Sequence, residues 1–275
     1  MKNIKRCLAV FCFVILIIVF LFPVYWMVST SLKTNAVLLK VPPEWNILKI
    51  TLESFREIFS DNMFLVFYKN TAIVASAATL LSLILASLAS YSFSRFKFRG
   101  SNFLQMVFLS TQMFPAMALM IALYTMYRQL NLLNTYTALI LACTTNALPL
   151  CVWVLKGFFD TIPRTLEEAA VIDGCGRFRT LYQIILPLIK PGILAVAIYA
   201  FLVSWEDFLW GLTLVNRMDL RTLAPGIALA YLGEYSYEWS KVMAASVTAS
   251  IPILILFVML QKQMIAGLVM GAVKE

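Results

Sequence analysis

Trp205, Glu206, Asp207 and Trp210 bring two adjacent carboxylates and two indoles into an apolar run, residues 191–215. On insertion scales a carboxylate at mid-bilayer costs ~2.5–3.5 kcal/mol, so acids in such a run mark function by default. Three chemistries compete for them. Carboxylates accept sugar hydroxyls and indoles stack on sugar rings, so the group could contact a sugar or gate a pathway. Tryptophan is also simply enriched at membrane interfaces. A buried acid could instead couple protons in a carrier. The amides Gln112 and Asn146 also stand inside apolar runs and could line a pathway. Hydrogen bonding between helices is the commoner fate of either one.

Other chemistries have no residues to perform them. Histidine is absent, which removes the commonest metal ligand and catalytic base. Cys7, Cys12, Cys143, Cys151 and Cys175 have no CxxC spacing and read as packing residues. No GxxxxGK[ST] phosphate loop occurs, so the chain is not expected to hydrolyse ATP. Neither a catalytic constellation nor a cofactor or metal site is expected, and a polytopic membrane enzyme ranks behind a transporter.

The elements that must hold these residues are membrane helices. Of 275 residues, 61% are hydrophobic and only 13% charged, too few charges to cover a soluble domain. The formal charge of +8 lies in short clusters between apolar spans, which determines topology and does not form a nucleic-acid face. Six spans are expected at about 8–31, 70–93, 103–127, 135–155, 191–215 and 242–260, each near the ~20 residues a spanning helix needs. The fold class is all-α and polytopic, with residues 1–275 forming one membrane domain. The first span follows Lys2, Lys5 and Arg6, and without a small-x-small cleavage site after it reads as uncleaved. Val41, Pro42 and Pro43 break any helix in the connection after it. Leu52, Phe55, Ile58 and Phe59 then recur at helical spacing opposite Glu53, Arg56 and Glu57, the pattern of a short surface or capping helix. Ala75, Ala78, Ser82, Ala86, Ser87 and Ser90 give the second span a small-residue face, which lets helices approach closely in lipid. Pro115 and Pro149 mark bends in the third and fourth spans.

Arg95, Lys97 and Arg99 crowd an acid-free loop and give the strongest positive-inside signal. With Lys2, Lys5, Arg6, Lys156, Arg164, Arg177, Arg179, Lys190, Lys262 and Lys274 they place both termini and the 165–187 interval in the cytoplasm. That interval opens with Thr165-Leu166-Glu167-Glu168, the pattern of a capping box. Asp173-Gly174 offers a left-handed stop, and a second helix is expected from about 177 to 186, ending at Pro187. Ala169 and Ala170 would leave a small-residue face for another protein's groove. A plain connecting hairpin explains these residues about as well.

The order Glu168-Ala169-Ala170, Gly174, Ile184 and Leu186-Pro187 resembles the EAA loop of binding-protein-dependent ABC transporter permeases. SYSFSRFKFRG (90–100), TQMFP (111–115), SWEDFLW (204–210) and GLVMGAVKE (267–275) are similar to the carbohydrate-uptake branch, nearest the second permease of maltose/multiple-sugar importers. That family usually has Asn where Glu206 stands and Gly near the end where Glu275 stands. The resemblance implies a heterodimer with a second related permease, two ABC ATPase subunits, an extracytoplasmic sugar-binding protein and a carbohydrate substrate. It implies a prokaryotic cytoplasmic (inner) membrane protein, coupled to the ATPase through Glu168, Ala169, Ala170, Asp173, Gly174, Ile184, Leu186 and Pro187. Its tail from about Gly267 would reach toward the ATPases. Trp205, Glu206, Asp207, Trp210, Gln112 and Asn146 remain candidates for a pathway or gate. The runner-up is an ion-coupled secondary transporter using Glu206 or Asp207.

Overall fold

Long apolar stretches with few strand signals produce a helical chain. The structure, a computed structural model, describes residues 2–41, 50–96, 98–232 and 237–272, with 2–5, 7–9 and 262–272 described by backbone alone. Pro42, Pro43, Lys97, Lys274 and Glu275 lie outside the described residues. Among the described residues there is no strand, only an isolated bridge between Leu232 and Tyr237.

The helices are α1 (Lys2–Ser31), α2 (Asn35–Leu38), α3 (Glu53–Ser60), α4 (Asn62–Arg95), α5 (Ser101–Ser110), α6 (Ala116–Gln129), α7 (Tyr136–Thr161), α8 (Thr165–Ile172), α9 (Arg177–Thr180), α10 (Leu186–Leu188), α11 (Lys190–Trp205), α12 (Leu209–Leu214), α13 (Leu223–Tyr231) and α14 (Trp239–Ala272). Among the described residues, four helices are long and apolar enough to cross a membrane: α1, α4, α7 and α14. Two bent pairs raise the number of candidate spans to as many as six.

One of these pairs corrects the third span, which is not a continuous helix. The helical segments Ser101–Met113 and Ala116–Gln129 meet at 102°. Proline forces its predecessor out of the helical region, and Phe114 accordingly sits at φ −77°, ψ 132° before Pro115. Pro149, by contrast, is accommodated inside an unbroken α7. The expected fifth span, 191–215, is also divided: α11 ends at Trp205, and α12 starts afresh at Leu209.

The chain divides into two compact units, one of residues 1–65 and 226–252, the other of 66–225 and 253–275. In the first, α3 forms where amphipathic spacing placed it, although Leu52 and Phe59 are exposed while Ile58 and Ser54 turn inward. Polar ties join its segments. The Tyr231 hydroxyl donates to Asp61 Oδ2 at 3.0 Å. Lys241 bridges Glu57 at 3.1 Å and Glu238 at 2.8 Å.

In the second unit α4, α7 and α11 make the core. Of the expected small-residue face, Ala75, Ala78, Ser82, Ala86 and Ser90 are buried and Ser87 is half-buried. Ser90 Oγ donates across to the Val152 carbonyl at 2.9 Å, and Thr144 Oγ1 to that of Ala78 at 3.5 Å. Backbones this close need small side chains between them. The α11 helix packs on α7 at Gly192, where a Cβ would come within 2.5 Å of the Phe158 ring.

Candidate coupling site

The 165–187 loop is built by three local devices. The first is its entry. Ile162 is extended ahead of Pro163, and the helical turn begins at that proline, with Glu167 N–H and Glu168 N–H both donating to the Arg164 carbonyl at 3.0 and 3.1 Å. Thr165 therefore lies inside the first turn, and the expected capping box does not form. Glu167 and Glu168 remain in that turn, where the helix dipole favours negative charge.

The second device ends α8. Gly174 adopts φ +80°, its N–H donates to the Val171 carbonyl at 3.0 Å, and Cys175 N–H reaches back to the Ala170 carbonyl at 2.8 Å. This is a complete Schellman stop at the expected Asp173-Gly174.

The third device ends the second helix. Pro187 has no N–H to return to the preceding turn, and it stands in α10 directly after a π turn over Leu181–Ile185. The helical segment stops at Leu188, within one residue of the expected end at Pro187. The chain then bends 84° between Leu188 and Lys190 into α11.

These devices divide the motif residues between two surfaces. Ala170 is buried, while Glu168, Ala169, Asp173 and Gly174 are exposed, so the pair of alanines does not form a single outward face. Ile184 and Leu186 are half-buried against the α4–α7–α11 core, and Pro187 is exposed. The residues that anchor the loop are Leu181, Ile185 and Ile189, all buried in that core. Sequence reasoning missed them, although their four-residue spacing on a helix was legible. It also missed the outward apolar residues Ile172, Phe178 and Tyr182, which are 86%, 80% and 74% exposed.

Behind α8 lies a cleft of about 460 Å³ whose walls include Tyr91, Arg95, Arg164 and Glu167. Arg95 Nε contacts Glu167 Oε1, and the Tyr91 hydroxyl donates to Glu167 Oε2 at 3.0 Å. Arg177 lies over the Phe96 ring, 5.1 Å from its centroid.

The 205–210 group occupies the break between α11 and α12. Asp207 accepts from Gly211 N–H at 2.9 Å and from Trp210 N–H at 3.3 Å, supplying two first-turn amides of α12 with acceptors. Both indoles are buried. Trp205 packs on Phe201 and edge-on to Tyr68, with centroids 5.3 and 5.5 Å away, and Trp210 joins a cluster with Val74, Tyr127 and Leu139. Glu206 is exposed. Gln112, on the turn between α5 and α6, donates to the Asn146 carbonyl at 2.9 Å, joining the bent pair to α7, and the Asn146 side chain is exposed.

Residues 68–269 match the family model of the binding-protein-dependent transport system inner membrane component. The chain belongs to this family. It is 38% identical over 260 residues to the sulfoquinovosyl glycerol transport system permease protein SmoH of Agrobacterium fabrum, covering 94% of this chain and 91% of that one. It is 35% identical to the trehalose/maltose transport system permease protein MalG of Thermococcus litoralis, over 99% of this chain and 98% of that one. A bacterial ABC transporter described as importing the acidic polysaccharide alginate has a chain of the same fold, with a TM-score of 0.81 at 20% identity, covering 95% of this chain and 96% of that one.

The permease is thus a multi-pass membrane transport component and not an enzyme. The ion-coupled carrier reading is not supported. The family is binding-protein-dependent, and both Asp207 oxygens serve as a helix cap.

Sequence reasoning also missed a polar clamp in the permease, because its members are far apart in the chain. Buried Asn70 donates to the Asp219 and Arg221 carbonyls at 3.0 and 2.8 Å and accepts from the Tyr136 hydroxyl at 2.6 Å. Nearby, Arg217 bridges Asp219 at 2.6 Å and holds that carboxyl below its ordinary range. Gly211 fits α12 against the segment beyond, where a Cβ would come within 2.3 Å of Thr222 Oγ1 and 3.0 Å of Pro225 Cγ. Gly211→Val is expected to cost about 1–3 kcal/mol through overpacking. The expected readout is several-fold less permease in the membrane fraction by immunoblot, with uptake falling at least in proportion.

Proposed function

We propose that this permease is one of two related membrane subunits of an ATP-driven sugar importer. In this reading it spans the membrane six times, with both termini in the cytoplasm. It forms half of the translocation pathway, and two ABC ATPase subunits and an extracytoplasmic sugar-binding protein complete the complex. Force enters through the 165–187 loop, with Glu168, Ala169, Asp173 and Gly174 at the ATPase and Ile184, Leu186 and Pro187 at the junction with α11.

The observation that carries this reading is the outward display of Ile172, Phe178 and Tyr182 on a sharply capped helical turn. A polar connection that needed only to reach the next helix would gain nothing by exposing three large apolar side chains. A separate protein that covers them would gain the burial. Their anchorage through Leu181, Ile185 and Ile189 gives any push on the loop a packed route to α4, α7 and α11.

The transported class is proposed to be a sugar with a glycosidic linkage, in keeping with the names of the relatives. Glu206, Gln112 and Asn146, exposed in break or mid-helix positions, are the proposed pathway contacts. The test is uptake of a panel of labelled mono- and oligosaccharides by cells with and without this chain. Loss of at least one sugar's uptake on deletion, restored by the intact gene, is expected. Unchanged uptake of the whole panel would remove the sugar assignment.

A further inference from the structure

The basic loop after α4 reads in sequence only as a topology signal, yet Arg95 is folded into the protein, its side chain 7% exposed. Its planar guanidinium donates in three directions. Nε goes to Glu167, Nη2 to the Ile162 carbonyl at 3.0 Å, and Nη1 to Ser94 Oγ at 3.1 Å. The Tyr91 hydroxyl, one turn back on α4, takes the second oxygen of the same Glu167. Arg164 returns the tie by donating to the Ser94 carbonyl at 3.1 Å. Ser94 Oγ in turn donates to Asp160, which pairs with Lys156 at 2.7 Å.

These bonds join the end of α4 to the α7–α8 corner, between residues about seventy positions apart in sequence. The loop is covalently continuous with α7 and α11 but not with α4. A force on α8 would reach α4 only through side chains. The bonds that join them directly are those of Glu167, which faces inward while its neighbour Glu168 faces out.

We propose that Arg95 and Glu167, seated by Tyr91, are positioning residues that form a rigid joint carrying the motion of α8 to α4. This rests on the reading of 165–187 as the coupling loop. Of the two adjacent glutamates, Glu168 meets the ATPase and Glu167 locks the loop to the permease's own second span. A charged pair with side chains only 7% and 17% exposed resists separation, and a forked donor fixes angle as well as distance. Lysine at position 95 would keep the charge and lose the fork.

The test uses the complete importer, this chain with its partner permease, ATPases and binding protein, in proteoliposomes. Sugar uptake and ATP hydrolysis are measured in the same vesicles. Glu167→Gln, Arg95→Gln and Arg95→Lys are expected to retain ATPase subunits and hydrolysis while uptake per ATP falls at least tenfold. The exchange Arg95→Glu with Glu167→Arg is expected to recover uptake per ATP to within about threefold of the native complex. Unchanged uptake per ATP in the single variants would overturn the joint. So would loss of the ATPases in the single variants with no recovery in the exchange, since the pair would then be supporting the fold alone.

A second arm does not depend on the sugar. Spin labels at Thr165→Cys and Leu88→Cys, in a chain whose native cysteines are replaced, report the α8–α4 separation. The native pair is expected to hold one distance through the ATP cycle, and Glu167→Gln to broaden it. Equal distributions with and without Glu167 would overturn the proposal even if the importer reading stands. A native complex that moves no sugar would sink the importer reading and leave this arm to decide the joint.

Discussion

Gly174→Pro abolishes uptake while the binding protein still captures its sugar. Position 174 needs φ near +80° and an N–H that donates to the Val171 carbonyl. Proline fixes φ near −65° and has no N–H, so both requirements fail together. The linked bond from Cys175 to the Ala170 carbonyl fails with them, and α8 loses its stop. The chain would leave α8 in a different direction and change where Phe178 and Tyr182 stand relative to Ile172. A milder series isolates the cause. A Cβ at 174 would meet nothing within 4 Å, so Gly174→Ala suffers only the left-handed strain of about 1–2 kcal/mol. Asparagine tolerates that region better, and Gly174→Asn is expected to keep most of the uptake. Transport of labelled sugar, normalised to permease in the membrane fraction, gives the comparison.

The second large effect is expected from Ile172→Asp combined with Phe178→Asp. Both side chains are far too exposed to support the fold, at 86% and 80%. Full burial of an apolar side chain of this size contributes about 1.5–3 kcal/mol, so losing two at an interface removes roughly 3–6 kcal/mol. Each 1.4 kcal/mol is tenfold in affinity, which amounts to about a hundredfold weakening or more. The variant is expected in the membrane at native abundance, yet without ATPase subunits in a detergent pull-down. Leu181→Asp gives the contrasting result. That side chain is buried in the core, and its replacement should lower the amount of permease itself.

Much of the helical architecture was legible because apolar length and small-residue spacing are local properties. The small-residue face of α4 followed from the spacing of Ala75, Ala78, Ser82, Ala86, Ser87 and Ser90, all of them buried except Ser87, which is half-buried. The stop at Gly174 followed from residue type alone. Helix ends and breaks were read less well. The cap of α8 fell to Arg164 and not Thr165, because a proline preceded by an extended residue can open the turn before a threonine does. The second helix does stop beside Pro187, at Leu188, but the π turn over Leu181–Ile185 before it has no spacing signal. Pro115 was read as a bend and proved a 102° break.

The site was legible as a motif and illegible as a surface. Identity showed that Glu168, Ala169 and Ala170 belong together. Only the fold separated Glu168 from Glu167 and Ala169 from Ala170, because a helix turns adjacent residues about 100° apart. The acids near 206 show the same limit. Asp207 is accounted for by the amides of Trp210 and Gly211, which no spacing rule places beside it before the helix is known to restart.

The measurement that bears most directly on the central claim is the energy source of uptake in proteoliposomes containing the assembled importer. ATP enclosed on the loop side, with binding protein and labelled sugar on the other, is expected to drive accumulation that survives an ionophore and stops with Gly174→Pro. Accumulation driven by an ion gradient without ATP, or undiminished by Gly174→Pro, would contradict the account.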